Sequence, residues 1–165
     1  MTADDSRLPD LGPRGEGWVA AQVLLIAAIG LAGLVDLRRA RSSTPWGGSV
    51  SVVGGLGVVA GLVVVGLAYA GLRSSFSPFP RPVAHGDLVE SGIYGRIRHP
   101  MYVGVVASSM GWGFVTGSGL ALVLAIGLAL LLDAKARREE AWLIACHCAY
   151  RAYRTRTRRF IPGIC

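Results

Sequence analysis

The chain has 165 residues, of which 52% are hydrophobic and only 16% charged, with a formal net charge of +7. That balance falls outside the range of soluble globular domains and identifies lipid as the solvent. Length bounds the chain at about one domain, and its anchoring in lipid argues against nucleic acid as a partner despite the basic charge.

Residues 1–17 form a polar N-terminal segment ahead of the first apolar run, Trp18 to Leu37, which carries no charge before Asp36. About 20 apolar residues cross a bilayer core of about 30 Å, so this run is expected to span. It exceeds the roughly 7 to 15 apolar residues of a signal peptide, and Asp4, Asp5, Asp10 and Glu16 precede it; a retained helix is therefore expected. Val50 to Leu72 contains no charge at all and reads as a second span. Gly57 and Gly61 within it form a small-xxx-small pair, the spacing that lets helices pack closely in lipid. The next segment, Ser77-Pro78-Phe79-Pro80-Arg81-Pro82, is too proline-rich for a helix or an inner strand.

Arg98-His99-Pro100-Met101-Tyr102-Val103-Gly104 follows. Proline is suited to the first turn of a helix, where its missing N–H has no partner to lose, so His99 is expected at a helix N-terminus. There unpaired amides and the positive end of the dipole favour an anionic or hydroxyl group. Tyr102, three residues on, shares the face of His99. The apolar block Met101 to Leu132 is too long for one span, and Thr116-Gly117-Ser118-Gly119 predicts a tight turn between two helices of about 16 residues each. The second is expected to run on past the apolar stretch through Asp133 to Glu140, with Lys135 and Glu139 on one face, a spacing that a surface ion pair would explain on its own.

These elements amount to an all-α membrane protein of about four transmembrane helices. The N-terminus, the 73–99 connection and the C-terminal tail share one side; 38–49 and the glycine turn share the other. Fourteen of the 17 basic residues fall on the first side and three, Arg38, Arg39 and Arg41, on the second. The positive-inside rule puts the first side in the cytoplasm and predicts a multi-pass cell-membrane protein. Arg151, Arg154, Arg156 and Arg159 in the tail are read as attracted to anionic lipid headgroups. Cys146-His147-Cys148 lacks the second ligand pair of a structural metal site, and no metal is expected.

Leu88-Val89-x-Ser-Gly-x-Tyr94, Arg98-His99-Pro100-x-Tyr102-x-Gly104, a hydrophobic hairpin, Glu139-Glu140 and a Tyr150/Tyr153 segment running to Arg159-Phe160-Ile161-Pro162 occur in that order. The ordered set, from about Gly86 to Ile164, resembles the isoprenylcysteine carboxyl methyltransferases and their relatives the phospholipid methyltransferases. Hydropathy gives two transmembrane helices over 18–72, and the resemblance implies a methyltransferase core over 73–165 with a cytosolic cofactor-binding loop. It implies S-adenosylmethionine held by Leu88, Val89, Tyr94, His99, Pro100, Met101, Tyr102, Gly104, Glu139, Tyr150 and Tyr153. Lys135, Arg98 and Glu140 are the residues it implies for the reaction, Lys135 standing where carboxyl-methylating relatives carry arginine and facing the acceptor carboxylate. The partners it implies are a lipophilic small-molecule or prenylated acceptor and membrane lipid. Carboxyl O-methylation comes first, phospholipid amine N-methylation and thiol S-methylation follow, and a non-enzymatic membrane subunit is the alternative of another class.

Overall fold

The structure, a computed structural model, describes residues 9, 11–39, 47–72, 89–146 and 149–160. Helix α1 covers Glu16–Arg39, α2 Gly48–Leu72, α3 Pro100–Thr116, α4 Gly119–Cys146 and α5 Tyr150–Arg156; a short 3-10 helix at Gly92–Gly95 precedes α3. The protein is therefore all-α, as its composition requires. The proline-rich segment 77–82 and Leu88 lie outside the described residues.

Three helices, α1, α2 and α4, are long and apolar enough to cross a membrane. The 17 residues of α3 make it about 26 Å long at about 1.5 Å per residue. The 28 residues of α4 reach about 42 Å, well beyond a bilayer core of about 30 Å. Its C-terminal turns therefore carry the Asp133 to Glu140 segment past the apolar stretch. Leu24, Leu31, Val52, Leu56, Val59, Val123, Ile126 and Leu130 are large, apolar and exposed, forming the belt that lipid would cover.

The predicted turn between α3 and α4 is present, and its residues explain it. Gly117 closes α3 with φ +65°, a left-handed conformation that glycine adopts without a Cβ penalty. Ser118 N–H then donates to Gly113 O at 3.0 Å. The Ser118 hydroxyl caps the start of α4 by accepting from Ala121 N–H at 3.2 Å, and donates to Asp36 Oδ2 on α1 at 2.6 Å. The one acidic residue in the first apolar run is thus used to fasten α1 to the hairpin.

Helix α3 lies between α2 and α4, and α1 packs on α4 and α3. Ile29 of α1 forms the core with Ala121, Ala125, Leu128 and Leu132 of α4, and Tyr102, Val105 and Val106 of α3 pack against it. The α2–α3 seam is a backbone-to-backbone contact. A Cβ added at Gly61 would meet Gly104 O at 2.5 Å, one at Gly104 would meet Gly61 O at 2.5 Å, and one at Gly111 would meet Gly54 O at 2.5 Å. The tightest positions on α2 are therefore Gly54 and Gly61, two turns apart, whereas a Cβ on Gly57 would stand at an ordinary 3.6 Å from Gly111. A Gly104→Ala substitution must separate the two helices, and is expected to destabilise by about 1–3 kcal/mol in thermal unfolding in detergent. Gly66→Ala, where a Cβ meets nothing within 4 Å, is the matched control and should leave stability unchanged.

The pairings Gln22 with Lys135 and Asp36 with Ser118 run α1 antiparallel to α4. Gly61 against Gly104 and Ala68 against Tyr94 bring the end of α2 to the start of α3. The start of α1, the end of α2, the 89–99 connection, the end of α4 and α5 therefore share one end of the bundle, as the sequence predicts.

Candidate active site

Polar residues gather at that end because the buried stripe of α4 does not stay apolar. Ala121, Ala125, Leu128 and Leu132 are followed on the same stripe by Lys135, Ala136 and Glu140, at the three- and four-residue steps that keep one face inward. Lys135 and Glu140 are each only 2% exposed. Buried charges at this level require partners, because each loses several kcal/mol of hydration on leaving water.

Glu140 is the centre of one cluster. Arg98 Nε donates to its Oε1 at 2.9 Å, and Arg159 donates to Oε1 at 3.2 Å and to Oε2 at 3.1 Å. Arg154 Nε stands 3.8 Å away. The remaining donors of Arg98 tie the tail down: Nη1 donates to Arg154 O at 3.1 Å, to Thr157 Oγ1 at 3.3 Å and to Thr157 O. The backbone completes the join as a parallel bridge between Ile97 and Arg158. Arg98 N–H donates to Arg158 O at 2.8 Å, Arg158 N–H to Arg96 O at 3.0 Å, and His99 N–H to Arg159 O at 3.1 Å.

Glu139 belongs to a second, adjoining cluster. Tyr102 donates its hydroxyl to Glu139 Oε1 at 2.6 Å, and His99 Nδ1 lies 3.5 Å from Oε2. The imidazole stacks on the Tyr102 ring with centroids 5.3 Å apart and planes at 13°, and Phe160 leans on it at 6.1 Å. His99 Nε2 is within 3.3 Å of Glu140 Oε1, yet it is buried without a hydrogen bond. Lys135 Nζ sits 5.3 Å from the Tyr102 ring centroid, in cation–π range, and donates to Gln22 Oε1 of α1 at 2.8 Å.

The tyrosines play different parts. Tyr94 donates to Ala68 O at the end of α2 at 3.3 Å, and its own carbonyl accepts from Tyr153 OH at 2.6 Å. Tyr150 and Tyr153 meet edge to face at 5.7 Å. Burial pushes the Tyr153 phenol up to about 12 and raises those of Tyr94 and Tyr150 as well, so all three remain protonated donors at neutral pH.

Of the residues expected in the site, Arg98, His99, Tyr102, Lys135, Glu139 and Glu140 come together. Pro100 is buried at the first position of α3, Met101 after it is half-buried, and so is Val89 in the connection that precedes the helix. Gly104 instead faces the α2 backbone. Sequence reasoning missed three participants. Gln22 lies in an apolar run that reads only as a span. Arg159 was grouped with a headgroup-binding tail, as were Arg154 and Arg156, but acidic residues within the protein engage them. Arg159 pairs with Glu140 and at 3.3 Å with Asp133, and Arg156 pairs with Glu90 at 3.0 Å. Asp133 is the third. The signal available was charge pairing: a basic tail and an acidic pair placed on the same side have each other as the nearest counter-ions.

This arrangement can be set beside known proteins. The cobalt-zinc-cadmium resistance protein CzcN of Cupriavidus metallidurans is 35% identical over 81 residues, covering 48% of this chain and 38% of that protein; the matched stretch thus spans under half of the relative's length. The family profile described as Phospholipid methyltransferase matches residues 49–147, from the start of α2 to the end of α4, so it takes in α2 and both Glu139 and Glu140 and leaves α1 outside. With that match covering more than half of its length, the chain belongs to the phospholipid methyltransferase family of integral membrane methyltransferases.

Proposed function

We propose that the polar end of the bundle binds S-adenosylmethionine and that the protein methylates the carboxylate of a lipophilic, isoprenylcysteine-like acceptor. The observation that carries this reading is the partly buried Tyr102–Glu139–His99 cluster set one helical turn from Lys135. Its donor set fits the cofactor. Glu139 is a carboxylate suited to an ammonium or ribose hydroxyls, and the buried His99 Nε2 has hydrogen-bonding capacity left over. The start of α3 offers a positive dipole end to a carboxylate. Val89, Pro100 and Met101, with Leu88, would wall the cofactor, and Tyr94, Tyr150 and Tyr153 hold that wall to α2 and α5. When bound, the cofactor supplies a methyl group already activated on a sulfonium.

A carboxylate acceptor carries its own nucleophilic electron pair and needs no general base, so the protein's task is alignment and exclusion of water. Lys135 supplies the charge that draws and orients that carboxylate. Arg98 and Glu140 act as positioning residues, holding the tail against the start of α3. The positive-inside rule puts this end in the cytoplasm. A second reading, methylation of a phospholipid amine, is favoured by the family match; such an acceptor must first lose a proton, and Glu139 is the half-buried carboxylate suited to take it.

The test uses detergent-purified protein in two steps. Calorimetric titration with S-adenosylhomocysteine should show saturable binding, and a folded sample without it would overturn the enzymatic reading in favour of a non-enzymatic membrane subunit. Incubation with methyl-labelled cofactor should then label a farnesylcysteine mimic in preference to phosphatidylethanolamine; the reverse preference selects the second reading.

A further inference from the structure

Three of the four tail arginines expected to meet lipid headgroups are engaged by acids of the protein itself, Arg154 and Arg159 by Glu140 and Arg156 by Glu90. Positive charge left for a partner outside the chain lies elsewhere. Arg96 and Arg158 are both exposed, and neither side chain forms an ion pair among the described residues. Their backbones are neighbours, because Arg158 N–H donates to Arg96 O at 3.0 Å in the join between the 89–99 connection and the tail. Consecutive tail residues divide there: Arg159 turns in to Glu140, and Arg158 turns out to solvent.

Tyr94 sets the depth of this join. Its hydroxyl donates to Ala68 O, and a Cβ on Gly71 would stand 3.3 Å from its ring, so Tyr94 lies against the last turns of α2, a helix without a charge. Arg96 follows two residues later, and α3 begins at Pro100. Tyr69, in the same last turns of α2, is 57% exposed, the position of an aromatic side chain at the membrane–water interface. The two arginines therefore stand at the edge of the apolar belt, at the level of the lipid phosphates. Guanidinium groups suit that ligand, since their forked donors match the oxygens of a phosphate. Like charges on hydrogen-bonded neighbours also repel, and an anion between them relieves the repulsion.

We propose that Arg96 and Arg158 together bind the phosphate of one anionic phospholipid of the surrounding leaflet, a headgroup that clasps the tail to the 89–99 connection from outside as Glu140 does from within. The site is independent of the methyltransferase reading, because it needs neither cofactor nor acceptor.

The test uses the full chain purified in mild detergent with equal amounts of phosphatidylglycerol and phosphatidylcholine, the phospholipid retained per protein being quantified by mass spectrometry. Wild type should retain phosphatidylglycerol in preference. Arg96→Gln and Arg158→Gln should each lower that preference about fivefold, and the double variant about 25-fold. Arg156→Gln removes the same charge two residues from Arg158, but from a side chain already paired with Glu90, and should change the preference less than twofold. Because a ligand of the folded state stabilises it, phosphatidylglycerol should also raise the Tm of wild type by a few degrees over phosphatidylcholine alone, and leave that of the double variant unchanged. Wild type without a preference overturns the inference. So does an equal loss in Arg156→Gln, which would make the attraction a diffuse property of surface charge. Retained phosphatidylglycerol that raises the Tm of wild type and double variant alike overturns the clasp, and the same Tm gain from millimolar inorganic phosphate in phosphatidylcholine overturns the lipid as its ligand.

Discussion

Glu140→Ala is expected to be the most damaging single substitution at the polar end of the bundle, because it strands two guanidinium groups at once. Arg98 and Arg159 both donate to this carboxylate, and the Arg98 side chain is only 8% exposed. Removing one partner of a buried ion pair costs about 3–5 kcal/mol, since the other charge keeps its desolvation penalty and loses its compensation. For a chain of this size that corresponds to a fall in Tm of roughly 10 °C or more, measurable by thermal unfolding in detergent. Glu140→Gln, which retains an oxygen acceptor, should lose less. If Glu140→Ala melts with wild type, the cluster is not what fastens the tail to the core.

Glu139→Ala should behave in the opposite way, sparing the fold and removing the ligand. Glu139 has lighter internal duties: a hydroxyl from Tyr102 and a contact with His99. A carboxylate that accepts a charged or hydroxyl donor from the cofactor contributes about 1.5–3 kcal/mol, so S-adenosylhomocysteine affinity should fall about 10- to 150-fold while Tm stays within a few degrees of wild type. Tyr102→Phe, which leaves Glu139 in place but frees its orientation, should show a smaller loss of the same kind. A folded Glu139→Ala protein with wild-type affinity removes Glu139 from the cofactor site. Contrasting responses in the two variants would separate adjacent glutamates into one that holds the structure and one that holds the ligand.

Adjacency is also where the sequence was least informative. Residues 139 and 140 are chemically identical, and only the direction of α4's buried stripe distinguishes them. Spacing pairs Lys135 with Glu139 on one face, but the buried stripe of Ala121, Ala125, Leu128 and Leu132 runs on to Lys135 and Glu140, charged residues in positions where leucine would be expected. The all-α class, the glycine turn and the sharing of one end by the motifs followed from hydropathy and from Gly117 and Pro100, whose backbone requirements are local; of the about four spans expected, three helices are long and apolar enough to cross a membrane. Contacts between segments far apart in sequence were not legible. Nothing in Ala20-Ala21-Gln22-Val23 marks Gln22 as a partner of Lys135, since a lone amide in an apolar run fits lipid-facing or core positions about equally. The arginines of the tail read as binding lipid headgroups because charge composition does not record which counter-ion is closest once α4 and the tail fold together. The glycine seam was legible in kind, but its register, Gly54 and Gly61 against Gly111 and Gly104, depends on how α3 is rotated.

The parallel join between residues 96–99 and 157–160 has a consequence for biogenesis. Its partners are 59 residues apart in the chain, and the entire α3–α4 hairpin lies between them. The ribosome therefore delivers Arg98 and His99 to the membrane well before their partners exist, and while the hairpin is inserting, those side chains must remain hydrated at the interface. The polar cluster is completed only when residues 157–160 dock on 96–99, after α3 and α4 have been made. Insertion of the helices and assembly of the polar cluster are thus distinct stages of maturation, joined by the docking of residues 157–160.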